Sequence, residues 1–245
     1  MKSKAYHAFE QKISYFDDDV DLIDVLRDGI LKGELNDPDS KYLIKNIDGS
    51  KHKHLSRRSN SDGSRELVIN HLRTTLYSGY IKDVYEEVTH YLRMILIKSA
   101  ENGFDSARIV GEHTCKLDAA KILSSGSWQG VSELVANSIF QSLESEQSTL
   151  KLIKKISDKL ALNVDSTLIN NALPYLEIRH FLIHADGRLT QDFINKNKKI
   201  KHKDRYVKLE LELIKKLRLS VSALIKEFDS KVVSCNLLKE EDLQP

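Results

Sequence analysis

One short segment of the sequence carries residue types that suit RNA cleavage: Arg179, His180 and His184. RNA contains its own nucleophile, the ribose 2′-hydroxyl. Its cleavage therefore needs a group that takes a proton, a group that gives one, and a cation that stabilises the phosphate. Histidine suits both proton transfers because the pKa of its free side chain, about 6.5, lies near neutrality. Arginine suits the third role because it stays charged and offers several donors to a phosphate.

The number of histidines predicts the assembly. One His184 cannot easily serve as both acid and base in one turnover, whereas two chains related by a two-fold axis supply a pair. We therefore expect a homodimer that needs no metal or other cofactor. His180 and His184 are four residues apart, a spacing that also suits metal ligands on a helix. Asp186 is badly placed on the helical wheel to be a third ligand, so we do not predict a metal site.

The segment that carries these residues, 173–187, is predicted to be the last part of a helix. Asp165 and Ser166 form a suitable N-terminal cap, and Gly187 is a suitable end. Pro174 predicts either a kink or a helix that restarts at the proline. Apolar residues lie on nearly all sides of this helix, which is typical of a helix buried in the middle of a bundle.

The polar residues conflict with that burial. With Leu176 at zero on a helical wheel, Arg179, His180 and His184 lie at about −60°, 40° and 80°. Burying a guanidinium group without a partner costs several kcal/mol. The sequence therefore predicts that this cluster is paired, faces a cleft or lies at a subunit interface.

Composition limits the class of protein. The chain has 245 residues, of which 40% are hydrophobic and 30% charged, with a net charge of +2. These values are typical of a globular protein with a real core. We find no membrane span and no apolar leader segment, and we expect a cytoplasmic protein. Cys115 and Cys235 are far apart in sequence, so neither a disulfide framework nor a cysteine zinc site is expected.

Apolar periodicity predicts an all-α fold without strands. Three parts are expected: an N-terminal helix with a polar loop (1–64), a helical bundle (65–233) and an acidic, frayed tail (234–245). Trp128, Tyr77 and Tyr80 lie within apolar periodicity and are predicted to be core residues. The predicted helices cover residues 5–32 (one helix or two), 64–100, 104–123, 131–143, 148–162, 165–187 and 206–233, with a short turn of helix at 190–195.

A basic connector follows the predicted central helix. Its lysines are candidate RNA contacts because they would extend a positive surface beside the arginine and histidines. A solvated loop is an equally good interpretation of the same run. The lysines in question are Lys196, Lys198, Lys199, Lys201 and Lys203.

The segment Arg179–His184 resembles the R-x4-H motif of the HEPN superfamily, in the form with a polar residue after the arginine. The same form occurs in RNA-guided, RNA-cleaving CRISPR effectors. The resemblance extends to residues 185–189 and to the long helix around residues 76–92, and it covers residues 65–230. The sequence differs at Ser78, because larger prokaryotic HEPN families often place an acidic residue near that position.

This resemblance implies a dimeric HEPN-like helical bundle with an extra N-terminal helical segment. It implies a metal-independent endoribonuclease of a toxin, abortive-infection or anti-phage system, with an antitoxin or sensor as a further partner. By match, Arg179 would bind the phosphate, His184 would transfer protons, and His180 would occupy an auxiliary polar position. The alternative is a non-catalytic HEPN module that binds RNA or a partner protein.

Overall fold

The computed structural model describes residues 1–37, 39–114, 116–146 and 148–244. Within these ranges the chain is mainly helical, which confirms the predicted all-α class. None of the described helices combines the length and apolar content that a membrane crossing requires. The helices are α1 (Lys4–Leu31), α2 (Asp62–Glu101), α3 (Ser106–Val110), α4 (Ala119–Ser124), α5 (Trp128–Ser145), α6 (Thr149–Lys159), α7 (Ser166–His184), α8 (Gln191–Lys196) and α9 (Leu211–Ser234).

The chain forms two compact units. The first unit comprises residues 1–12 and 81–245, and the second comprises residues 13–80. The boundaries of these units differ from those of the predicted segments 1–64, 65–233 and 234–245. The three segments stay a prediction. The cleft described below lies entirely within the first unit.

The second unit is built from parts of α1 and α2 with the polar loop between them. Tyr77 and Tyr80 are buried, as predicted. The Tyr80 ring meets the edge of Phe16 at 6.2 Å, and its hydroxyl donates to Asp17 Oδ1 at 2.7 Å. Each tyrosine therefore contributes apolar area to the core, and Tyr80 keeps a polar partner for its hydroxyl.

In the first unit, α7 packs against α9 and α6. The facing surfaces are apolar, with Leu176 and Ile178 of α7 and Leu224 and Phe228 of α9 all buried. Asp229 of α9 binds the N-terminal segment by accepting hydrogen bonds from the Ser3 N–H and hydroxyl. It also accepts a hydrogen bond from the Tyr91 hydroxyl. This buried carboxylate is therefore satisfied by three donors.

The predicted helix 104–123 is wrong as a single element. The backbone N–H of Gly111, at φ 54°, bonds back to the Ala107 carbonyl and ends α3. Asp118 then caps a separate helix, α4. Cys115 lies outside the described residues, whereas Cys235 is an exposed free thiol. Trp128 is 81% exposed, so the prediction that it belongs to the core is also wrong.

The prediction of a strand-free chain with a frayed tail is corrected as well. Strand β1 (Lys2–Ser3) pairs antiparallel with β4 (Leu243–Gln244), and Leu237 and Leu238 are buried. A hairpin joins β2 (His202–Lys203) to β3 (Tyr206–Val207), and β3 occupies the start of the predicted last helix. Two-residue strands are too short for an alternating pattern to show in the sequence.

Candidate active site

Helix α7 carries the candidate site and has both of its predicted ends. The Asp165 side chain accepts the Thr167 N–H at 2.8 Å and caps its start. One helix runs through Pro174, so the chain does not restart there. At the other end, the Ala185 and Gly187 N–H groups both donate to the Phe181 carbonyl, with Gly187 at φ 79°. This left-handed end explains the glycine.

Burial changes along α7, which corrects the prediction of a helix buried over its whole length. Leu176 and Ile178 are 1% and 0% exposed, whereas Ile183 is 41% exposed. His180 and His184 are exposed too. The motif therefore lies where α7 emerges from its neighbours, and the histidines reach solvent within a single chain.

Arg179 is half-buried and lies against an aromatic ring. Its guanidinium carbon is 4.7 Å from the ring centroid of Tyr85 on α2. Within the described ranges, no carboxylate forms an ion pair with Arg179, and its buried Nε has no hydrogen-bond partner. The cation–π contact orients the guanidinium group and leaves its donors available to an anion.

The two histidines form a pair on the exposed end of α7. The ring centroids of His180 and His184 are 4.9 Å apart. Arg179 points about 140° away from His184 around the helix axis. The arginine and both histidines nevertheless line the same cleft of about 1090 Å³, which wraps around this part of α7.

Other elements complete the cleft. Helix α6 begins at it, with Ser148 and Thr149 in its lining. Helix α8 contributes Phe193 and Lys196. The cleft is thus bordered by a helix N-terminus, which favours anions, and by a lysine. No group of metal-binding side chains occurs among the residues that the structure describes.

Glu177 is a cleft residue that the sequence analysis missed. It is half-buried, and burial raises the pKa of its carboxyl group, while Lys196 partly offsets the shift. Glu177 lies three and seven residues before His180 and His184, so all three share one face of α7. That spacing could have identified it. Tyr85 could not be found this way, because it is far from the motif in sequence.

The five predicted RNA-contacting lysines are not brought together. Lys196 lines the cleft. Lys199 lies 5.4 Å from the centroid of the Tyr175 ring, and Lys201 forms an ion pair of 2.5 Å with Glu212. Lys198 and Lys203 are exposed.

Comparisons of the chain with protein-family models, with curated proteins and with solved structures find no match.

Proposed function

We propose that this chain is a metal-independent endoribonuclease that acts as a homodimer, with HEPN-like chemistry at the α7 cleft. One observation carries the proposal: Arg179 is held against Tyr85 without a carboxylate partner among the described residues, in the same cleft as two exposed histidines. A structural arginine would be expected to have a carboxylate partner. An arginine prepared for a phosphate needs free donors.

The proposed reaction uses these groups in turn. A histidine takes the proton of the 2′-hydroxyl, whose oxygen attacks the adjacent phosphorus. The bond from phosphorus to the 5′-oxygen breaks, and a second histidine gives that oxygen a proton. Arg179 stabilises the extra negative charge on the phosphorane. The products are a 2′,3′-cyclic phosphate and a 5′-hydroxyl.

The directions of the side chains support the proposed dimer. Arg179 and His184 differ by about 140° on α7, so one helix does not aim both at one phosphorus atom. A two-fold axis beside the exposed end of α7 would bring the partner's motif to the opposite side of the cleft. Ile183, an exposed apolar residue between the histidines, would lie in that interface.

The first experiment measures cleavage of a fluorophore-labelled single-stranded RNA in the presence of EDTA. We expect cleavage by the wild type, and none of the same RNA carrying 2′-O-methyl groups, because the nucleophile is then blocked. His184→Ala and Arg179→Ala should be inactive, whereas His90→Ala, which removes an exposed histidine on α2 outside the cleft, should retain activity. Full activity of His184→Ala would overturn the proposal.

A mixing experiment tests the shared site. Wild type and His184→Ala are co-expressed with different tags in equal amounts. If each site needs the His184 of both chains, activity should fall to about one quarter of the wild-type value. If each chain works alone, it should fall to about one half. RNA binding without any cleavage would favour the alternative function, a non-catalytic module.

The resemblance also supports a cellular role, which we propose together with the activity. A cytoplasmic ribonuclease of a toxin or anti-phage system must be held inactive until it is needed, so an antitoxin or sensor is its expected partner. Expression of the wild type should then arrest growth of a bacterial host, and His184→Ala should relieve the arrest.

A further inference from the structure

The hairpin β2–β3 is hydrogen-bonded to residues 187–189, which closely follow α7 and the candidate site. The Leu189 N–H donates to the Arg205 carbonyl at 2.8 Å, and the Val207 N–H donates to the Gly187 carbonyl at 3.0 Å. Arg205 also donates from Nε to the Leu189 carbonyl at 3.2 Å. Residues 187–189 thus form a third row beside the hairpin. The hairpin position is set by the turn that ends α7.

One face of this three-row sheet carries a tyrosine between two cations. Tyr206 pairs with Lys203 on one side and forms an antiparallel bridge with Arg188 on the other. Residues directly opposite each other in an antiparallel ladder point to the same face. The hydrogen bonds from Leu189 and Val207 flank the Arg188–Tyr206 pair, so it is of the non-hydrogen-bonded type, in which side chains come closest.

This face is open, whereas part of the opposite face is covered. Arg188 and Lys203 are exposed, and Tyr206 is 47% exposed. Leu189 and Gly187 are buried. Neither Arg188 nor Lys203 has an ion-pair partner in the described part of the chain. Lys201, at the base of the same hairpin, is by contrast paired with Glu212.

A flat aromatic ring flanked by two unpaired cations fits a single-stranded nucleic acid. Base–aromatic stacking needs an unpaired base, and the cations suit the phosphates on either side of it. The location is consistent with this ligand: Arg188 follows His184 by four residues, so their Cα atoms are at most about 14 Å apart. A strand held on this face therefore lies within a few nucleotides of the histidines.

We propose that Arg188, Lys203 and Tyr206 form a platform that binds single-stranded RNA, with a base stacked on the Tyr206 ring and phosphates on the two cations. The platform rests on the proposed function for its role, since it would hold the substrate beside the cleft. Of the five lysines predicted to contact RNA, the platform contains only Lys203. Its three residues come from three different rows of the sheet.

The test measures binding of a 2′-O-methyl oligouridine, which cannot be cleaved, by fluorescence anisotropy. Tyr206→Val keeps the preference for a strand but removes the ring, and we expect the affinity to fall about 10-fold or more. Tyr206→Phe should bind like the wild type because it keeps the aromatic face. Tyr15→Ala, which removes an exposed tyrosine on α1, is the matched control and should change nothing.

Salt dependence tests the cations separately. The double variant Arg188→Ala/Lys203→Ala should lower the slope of log affinity against log salt by roughly 1.4, because two phosphate contacts of a single strand are lost. Lys226→Ala, an exposed lysine on α9, should leave the slope unchanged. Wild-type affinity in Tyr206→Val, or equal affinity for duplex and single-stranded RNA, would overturn the platform.

Cleavage kinetics separate this proposal from the catalytic one. If both hold, Tyr206→Val should raise KM and leave kcat unchanged. Binding that depends on Tyr206 without any cleavage would overturn the ribonuclease and keep the platform. Cleavage with an unchanged KM in Tyr206→Val would overturn the platform and keep the ribonuclease.

Discussion

The two halves of α7 differ in what surrounds them. Up to Ile178 the helix is packed against α6 and α9, and Leu176 and Ile178 are almost completely buried. Beyond Ile178 the helix emerges, and His180, Ile183 and His184 are exposed. Apolar residues occur throughout both halves in sequence. The difference teaches that the first half stabilises the fold, while the second half is free to carry polar groups and to meet a substrate or a partner.

The sharpest test of this division is a large loss of activity without a loss of stability. His184→Ala should lower the cleavage rate by about 10²- to 10⁴-fold, the usual contribution of a general acid or base. Because the side chain is exposed, the free energy of unfolding should change by less than about 0.5 kcal/mol. Parallel cleavage assays and urea titrations check both. Destabilisation comparable to that of a core variant would contradict the division.

The opposite pattern is expected in the buried half. Ile178→Ala should lower the free energy of unfolding by about 2–5 kcal/mol, because it leaves a cavity between packed helices. Ile183→Ala, the matched isoleucine at the exposed end, should cost less than about 0.5 kcal/mol in the monomer. Urea titrations at low protein concentration measure both. Equal costs would show that the two halves are not distinguished by packing.

The junction between α7 and the hairpin should respond to Gly187. Gly187→Ala should cost about 1–2 kcal/mol of unfolding free energy, because φ 79° is unfavourable for a residue with a Cβ atom. Space is not the cause, since the added Cβ would meet its nearest neighbour, Val207 Cγ1, at 3.5 Å. Gly103, at φ 80° with nothing within 4 Å, is the matched control. Gly103→Ala should cost the same amount, but only Gly187→Ala should also weaken RNA binding.

Glu177 marks the boundary between the halves, and its effect should depend on pH. Burial raises the pKa of its carboxyl group above the ordinary value of 4.5. In the pH window between the ordinary and the raised pKa, the folded state therefore binds more protons than the unfolded state. The wild type should therefore lose stability relative to Glu177→Gln as the pH rises through this window. Below this window the carboxyl group is protonated in both states, so the stability difference between the two proteins should not change with pH. Melting temperatures across the pH range measure the difference.

Glu212 is a control of opposite sign for this measurement. Hydrogen bonds with Lys201 and Lys216 lower the pKa of its carboxyl group to about 2. The wild type should therefore gain stability relative to Glu212→Gln as the pH rises from about 2 to the ordinary value. The same trend for both variants would show that the surroundings of Glu177 do not disfavour its charged form.

Most helices could be predicted because apolar periodicity and capping residues act locally. Asp165 and Gly187 marked both ends of α7 correctly, and the long helix α2 begins and ends within two residues of its prediction. The failures have a common cause. Trp128 lies within apolar periodicity but is exposed, and the strands at Lys2–Ser3 and Leu243–Gln244 exist only because distant parts of the chain meet.

The candidate site, too, has features that local sequence predicts and features that depend on distant contacts. The sequence by itself determined an all-α chain and placed Arg179, His180 and His184 on one late helix, because side-chain pattern and helix geometry are local properties. Only the tertiary structure decided that α7 emerges from the core at Arg179, and that Tyr85 rather than a carboxylate contacts this arginine. It likewise set Tyr206 between two cations. These are contacts between segments far apart in the chain, and no local pattern encodes them.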